Sequence, residues 1–390
     1  MVGWAVRTSS LRGGPRAAGA ALAAALLCLL PAPVQSQSLA FPGGIIWQTT
    51  LAPPPVQLPA FDEHRVYVVM GDGSVLAFDH ATGTRLWTAR KNSTVRPAAS
   101  GRYLAGADGA SAWAIDAGSG EVAWSRDLGA RVSAVPAITN AGAAMLTEAG
   151  DLVLLTWADG REAWTVRLPG EPSAPLAVEG DRLFVGFSDG RVRALALPDG
   201  STVWERTVGG RVLGLTPIGD RLFAGAADNF LYALKTRDGG RAWRWRTGGD
   251  VVAPAVADDR RVYFTSRDAM LRAMDRRHGD LRWQRPLATR AVGGPAMAGT
   301  TVVVAGASPE LRAFRTSDGG LLATAPIPGR PLHGPYLAPA GPSAPARLVV
   351  LTAGGHLLAL GQTVEPMLVP MDGIPGRKLP PEVLPEIIRQ

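Results

Sequence analysis

The chain has 390 residues, 46% of them hydrophobic and 19% charged, with a formal net charge of +7. The Lys and Arg residues are spread without forming a tract, which points to solubility and away from nucleic-acid binding. A single cysteine excludes a disulfide framework, and 47 Gly with 32 Pro are too regularly placed to signal disorder.

In chain order, residues 1–36 read as a secretory signal. Arg7, Arg12 and Arg16 precede the apolar run 17–30, and small residues follow toward Ser36. The run is too short for a membrane span. Cleavage removes three arginines and lowers the net charge from +7 to +4. Leu27 stands before Cys28, where a lipoprotein signal needs a small residue, so the expected product is exported, periplasmic and unlipidated.

Seven tryptophans then recur, Trp47, Trp87, Trp124, Trp164, Trp204, Trp243 and Trp283, at intervals of 40, 37, 40, 40, 39 and 40 residues. A further step of 40 lands on Ala323. Such a period marks a repeat architecture. Each Trp after the first sits four residues behind a glycine (Gly83, Gly120, Gly160, Gly200, Gly239 or Gly279), and Gly319 holds that place ahead of Ala323. Glycine supplies the positive φ of a tight hairpin turn.

Ahead of each such turn stand two short apolar runs joined by turn residues. Residues 65–70 and 74–78 flank Gly71-Asp72-Gly73, and 182–187 and 191–195 flank Ser188-Asp189-Gly190. Most repeats open on a proline: Pro59, Pro97, Pro136, Pro175, Pro254, Pro295 or Pro335. Proline is tolerated at the first residue of a strand. One unit is therefore four strands, the pattern of a β-propeller blade. The last hairpin, 347–360, has no Trp strand after it, and the Trp47 strand has no hairpin before it. Joining them predicts an all-β, eight-bladed propeller over 41–361, its last blade closed by the N-terminal Trp47 strand. Residues 362–390 form a Pro-rich tail.

The fullest copies read Asp-x-x-x-Gly-x-x-x-Trp from Asp79, Asp116 and Asp275, behind strands such as Ala194-Leu195 and Tyr232-Ala233-Leu234. This resembles the pyrroloquinoline quinone (PQQ)-type propeller repeat, over nearly all of the mature chain. Three branches of that family are relevant. Quinoprotein dehydrogenases imply PQQ, Ca²⁺, a catalytic Asp and usually a ring of two adjacent cysteines. The mature chain has no cysteine pair, and Asp72, Asp108, Asp189 and Asp228 read as turn caps. The BamB-like propellers are periplasmic subunits of the β-barrel assembly machinery, similar in size and without chemistry of their own. Residues 167–175 are similar to that family's Leu-Arg-Gly-Glu-Ser-x-Pro loop. Leu168, Gly170 and Glu171 match, Pro169 replaces the Arg, and Arg167 carries a guanidinium from a shifted position, just ahead of Leu168. The next inter-blade loop, 208–215, lacks the acidic residues of that family. The third branch is secreted PQQ-repeat propellers of other binding roles.

The five histidines, His64, His80, His278, His333 and His356, show no metal-ligand spacing, and no nucleophile or phosphate-binding motif occurs. The expectation is an exported, monomeric, non-enzymatic scaffold without catalytic, cofactor-binding or metal residues. The resemblance implies that it assists outer-membrane β-barrel assembly, contacting the barrel-forming protein and unfolded barrel clients, with peripheral membrane association. Arg167, Leu168, Gly170 and Glu171 are the expected contact residues. The alternative is a PQQ- and calcium-dependent oxidoreductase.

Overall fold

The structure, a computed structural model, describes residues 43–252, 255–338 and 345–361. The expected signal with Cys28, the tail 362–390 and Pro254 lie outside the described residues.

The described residues form eight four-stranded antiparallel sheets, the expected eight blades. Blade one contains Ala60–Phe61, Arg65–Val69, Ser74–Asp79 and Arg85–Arg90, paired in that order. Blades two to seven repeat this order over 98–127, 137–167, 177–207, 212–246, 256–286 and 296–326. In blade eight the order is Tyr336–Ala338, Arg347–Leu351, His356–Gly361 and then Gly44–Thr50. The N-terminal Trp47 strand therefore closes the ring.

First strands of neighbouring blades touch one another, which places them around the axis. Phe61 stacks on Tyr336 at 3.9 Å between blades one and eight, and the Ala255 amide donates to Thr216 Oγ1 at 3.1 Å between blades five and six. Second and third strands are buried almost throughout, because sheets cover both of their faces. Fourth strands form the rim, and on most of them the Trp side chain is buried among exposed neighbours.

Each of those tryptophans does the same work. Its strand faces the third strand with a β-bulge beside the Trp pair, as at Ala77–Trp87, Ala194–Trp204 and Ala359–Trp47. The residue opposite is alanine in all but one case, Leu154 against Trp164, which leaves room for the ring. The indole then crosses to the next blade. Trp47 Nε1 donates to His80 O at 2.9 Å, Trp87 to Ala117 O at 2.8 Å and Trp164 to Leu197 O at 2.7 Å. Trp124, Trp204, Trp243 and Trp283 make the same bond to Trp157, Thr236, Arg276 and Thr316. Arg182 and Arg261 reinforce two of these carbonyls from their own blades.

The turn glycines have a second role beyond positive φ. A Cβ on Gly160 would lie 2.6 Å from Cδ2 of Trp124, and one on Gly83 would lie 2.5 Å from Cδ2 of Trp47. The glycine of one blade thus receives the indole of the blade before it. Trp124, Trp164, Trp204, Trp243 and Trp283 are at most 8% exposed, while Trp47 and Trp87 are half-buried.

Candidate functional site

Antiparallel pairing puts every inter-blade loop and every turn between second and third strands at the same end of the propeller. The loop 167–171, singled out in the sequence, lies there between the outer strand Glu162–Arg167 of blade three and the inner strand Ala177–Glu179 of blade four. Arg167 is exposed and pairs with Asp151, Nη1 to Oδ1 at 2.8 Å. Pro169 and Glu171 are also exposed.

Leu168, one of the expected contact residues, is buried and not on the surface. It is 6% exposed and packs with Leu152, Val185 and Phe187 in the core between blades three and four. Its amide donates to Gly150 O at 2.9 Å, which turns the side chain inward. Gly170 faces the Arg191 guanidinium, where a Cβ would stand 2.6 Å from Nη2. The surface this loop presents is Arg167, Pro169 and Glu171.

The loop is held by the turn 187–191 of blade four. Ser188 N donates to Glu171 O at 2.9 Å, Ser188 Oγ to a Glu171 carboxylate oxygen at 3.1 Å, and Arg191 Nη2 to Pro169 O at 3.2 Å. Arg191 also lies over the Phe187 ring and donates to Asp189 Oδ2 at 2.7 Å. The Arg191 backbone amide is the main cause holding the Asp189 carboxyl below its ordinary range.

The same arrangement continues into the next loop. Val208 N donates to Gly190 O at 2.8 Å, and Ser173 Oγ to Val212 O at 2.7 Å. The 208–215 loop has no acid of its own, but the fold supplies one. Asp228, from the blade-five turn, sits so close to Gly209 that a Cβ there would meet its carboxylate oxygen at 2.2 Å. Tyr232 Oη donates to Asp228 and accepts the Gly209 amide at 3.0 Å. Asp228 also accepts the Phe230 amide, and Asp72 and Asp189 accept amides of their own turns, so these carboxylates cap turns. Sequence reasoning missed the place of Asp228 because its partner glycine lies earlier in the chain, in the loop that leads into the blade.

Blades three to five thus share a continuous rim in which each loop is bonded to the neighbouring turn. Further round, the turn of blade six carries a buried ion pair: Arg272 grips Asp268 at 2.6 and 3.1 Å. Burial alone would raise the Asp268 carboxyl, but bonds from Arg272, Ser266 and the Gly248 amide outweigh it and hold it at about 2. Among the described residues no group of three or more His, Cys, Asp or Glu is placed to hold a metal ion. No helix there is long and apolar enough to cross a membrane.

A family profile described as outer membrane protein assembly factor BamB matches residues 35–100, 89–218 and 209–336. The outer membrane protein assembly factor BamB of Yersinia pestis is 27% identical over 251 residues, 59% of this chain and 56% of that protein. The protein of the same name from Nitrosomonas eutropha is 28% identical over 185 residues, 45% of each. The chain thus matches about half the length of these curated relatives. The crystal structure of BamB from Moraxella catarrhalis superposes with a TM-score of 0.67 at 18% identity, covering 82% of this chain and 99% of that one.

Proposed function

We propose a function for a chain that belongs to the family of the outer membrane protein assembly factor BamB: a non-enzymatic, exported propeller that binds a protein partner and assists assembly of outer-membrane β-barrels. The observation that carries this reading is the bonded rim of blades three to five. Its loops are already ordered by neighbouring turns, so docking a partner costs little conformational entropy. Arg167 and Glu171 present opposite charges at its edge, and Asp228 adds an acid at the next junction. Rim charges of this kind steer and orient an encounter more than they add affinity.

The partner in this reading is the barrel-forming protein of the assembly machinery, with unfolded barrel proteins as clients. The chain works as a monomer without PQQ or calcium, in the periplasm at the outer membrane. Charge reversal at both exposed positions, Arg167→Glu with Glu171→Lys, tests it. Co-purification of the barrel-forming partner from native envelopes should be lost while the melting temperature is kept, since exposed ion pairs contribute about 0–1 kcal/mol. Undiminished co-purification removes this rim as the interface. Titration with PQQ and Ca²⁺, followed by absorbance, tests the chemistry: a stoichiometric complex would overturn the scaffold reading.

A further inference from the structure

At the mouth of the central channel, on the end that carries the inter-blade loops, lies a cavity of about 540 Å³. That volume falls in the range of small-molecule sites. Entry segments of blades one, two, six, seven and eight converge on it. Three arginines line it, Arg96, Arg267 and Arg290, and its described lining holds no carboxylate. Phe61 stacked on Tyr336 forms an apolar wall.

Arg96 is the informative residue. It is half-buried, and its Nε is fixed on Pro59 O at 3.0 Å. Among the described residues, Nη1 and Nη2 have no hydrogen-bond partner and the side chain has no acidic neighbour in an ion pair. Burial lowers its pKa from the ordinary value, with no opposing charge to raise it. A guanidinium held in one orientation with its fork open is suited to bidentate capture of an oxyanion. Arg267 pairs only weakly, at 3.9 Å from Asp250, and both Arg267 and Arg290 are exposed at the cavity's edge. His333 contributes no competing charge. Its Nε2 accepts the Leu351 amide at 3.1 Å and its Nδ1 is bonded to Gly334 O. Burial, with Arg96 adding to it, holds its pKa down to about 4, so at neutral pH it is an uncharged wall.

We infer that the channel mouth is a binding site for a small ligand bearing a carboxylate or phosphate group, with Arg96 gripping the oxyanion and Arg290 and Arg267 adding charge at the rim. The site is separate from the loop 167–171 and does not depend on the assembly role. The apolar wall takes the rest of such a ligand.

Isothermal titration of the purified chain with inorganic phosphate and, separately, with citrate tests this. One probe or both should give a saturable one-to-one isotherm. The phosphate arm alone would identify a phosphate-bearing ligand, the citrate arm alone a carboxylate. Arg96→Gln should weaken binding at least tenfold. Arg161→Gln, at the opposite end of the propeller, should leave it unchanged. If Arg96→Gln does not fold, the exposed double change Arg267→Gln with Arg290→Gln must weaken binding at least threefold. Absence of a saturable isotherm for both probes, or wild-type affinity in Arg96→Gln, would overturn the inference.

Discussion

Seven of the eight blade junctions are closed by a tryptophan of one blade resting on a glycine turn of the next, while at the junction between blades seven and eight the described residues show no such pair. At that junction Ala323 stands where the indole would be. Among the described residues no continuous turn receives it. In blade eight the third and fourth strands are not consecutive: the described third strand ends at Gly361 and the fourth begins at Gly44. Gly43 holds the glycine's place four residues ahead of Trp47, but a Cβ there would lie 2.2 Å from Gly361 O, so it abuts the third strand of its own blade. The junction without the indole is the one that leads into the blade built from both ends of the described chain.

What holds the seam is aliphatic packing and loop bonding. Ala325, Ile327, Leu348, Val350, Leu358 and Leu360 form a shared core between the two blades. The entry loop of blade eight is tied to its second strand, with Leu332 N donating to Leu351 O at 2.9 Å and Ala353 N to Arg330 O at 2.8 Å. The comparison teaches that the indole staple is a device for a continuous turn, and that a broken blade needs a different closure.

Removing residues 44–50 should have the largest effect. Blade eight loses its outer strand, the Trp47 staple to blade one goes with it, and His356–Gly361 becomes an open edge. The expected outcome is aggregation or loss of the cooperative thermal transition, read by size exclusion and calorimetry. A soluble truncation of equal stability would mean that the seam closes without that strand.

Trp164→Ala should cost about 3–5 kcal/mol, the range for a large aromatic in a packed core, and denaturant titration measures it. A loss under about 1 kcal/mol would remove the distinction between stapled and bare junctions. Gly160→Ala should cost about 1–3 kcal/mol for the left-handed backbone, and more because the methyl meets Trp124. Gly180→Ala is its control, since Gly180 also has positive φ but nothing within 4 Å of the added carbon. Equal costs at the two positions would mean that the glycine does not receive the ring.

At the seam itself, His333 gives a pH signature. Its folded pKa is lowered to about 4, so the unfolded chain binds a proton more readily than the folded one between there and the ordinary value near 6.5. Stability from this group is complete above about pH 6.5 and falls as pH drops toward 4, by at most about 1.4 kcal/mol per pH unit. His333→Gln should flatten that slope in pH-dependent denaturant titrations, and an unchanged slope would assign it elsewhere. Ala323→Trp should have the smallest effect, within about 0.5 kcal/mol. A stabilisation well beyond that would reveal a receiving surface on blade eight.

Strand order, blade number and the closing role of the Trp47 strand were legible in the sequence, because each repeat writes its own turns. Gly71-Asp72-Gly73 and Ser188-Asp189-Gly190 bend the chain locally, and a period near 40 leaves little freedom in how the hairpins follow one another. The loop 167–171 was legible as a connection between blades, but the burial of Leu168 was not, since its packing partner Phe187 belongs to the next blade. Only the closed ring decided which carbonyl each indole meets, why Ala323 is tolerated, where Asp228 comes to lie, and that Arg96 and His333 share one cavity. Those contacts join residues whose distance depends on the curvature and closure of eight blades, and local pattern carries no information about either.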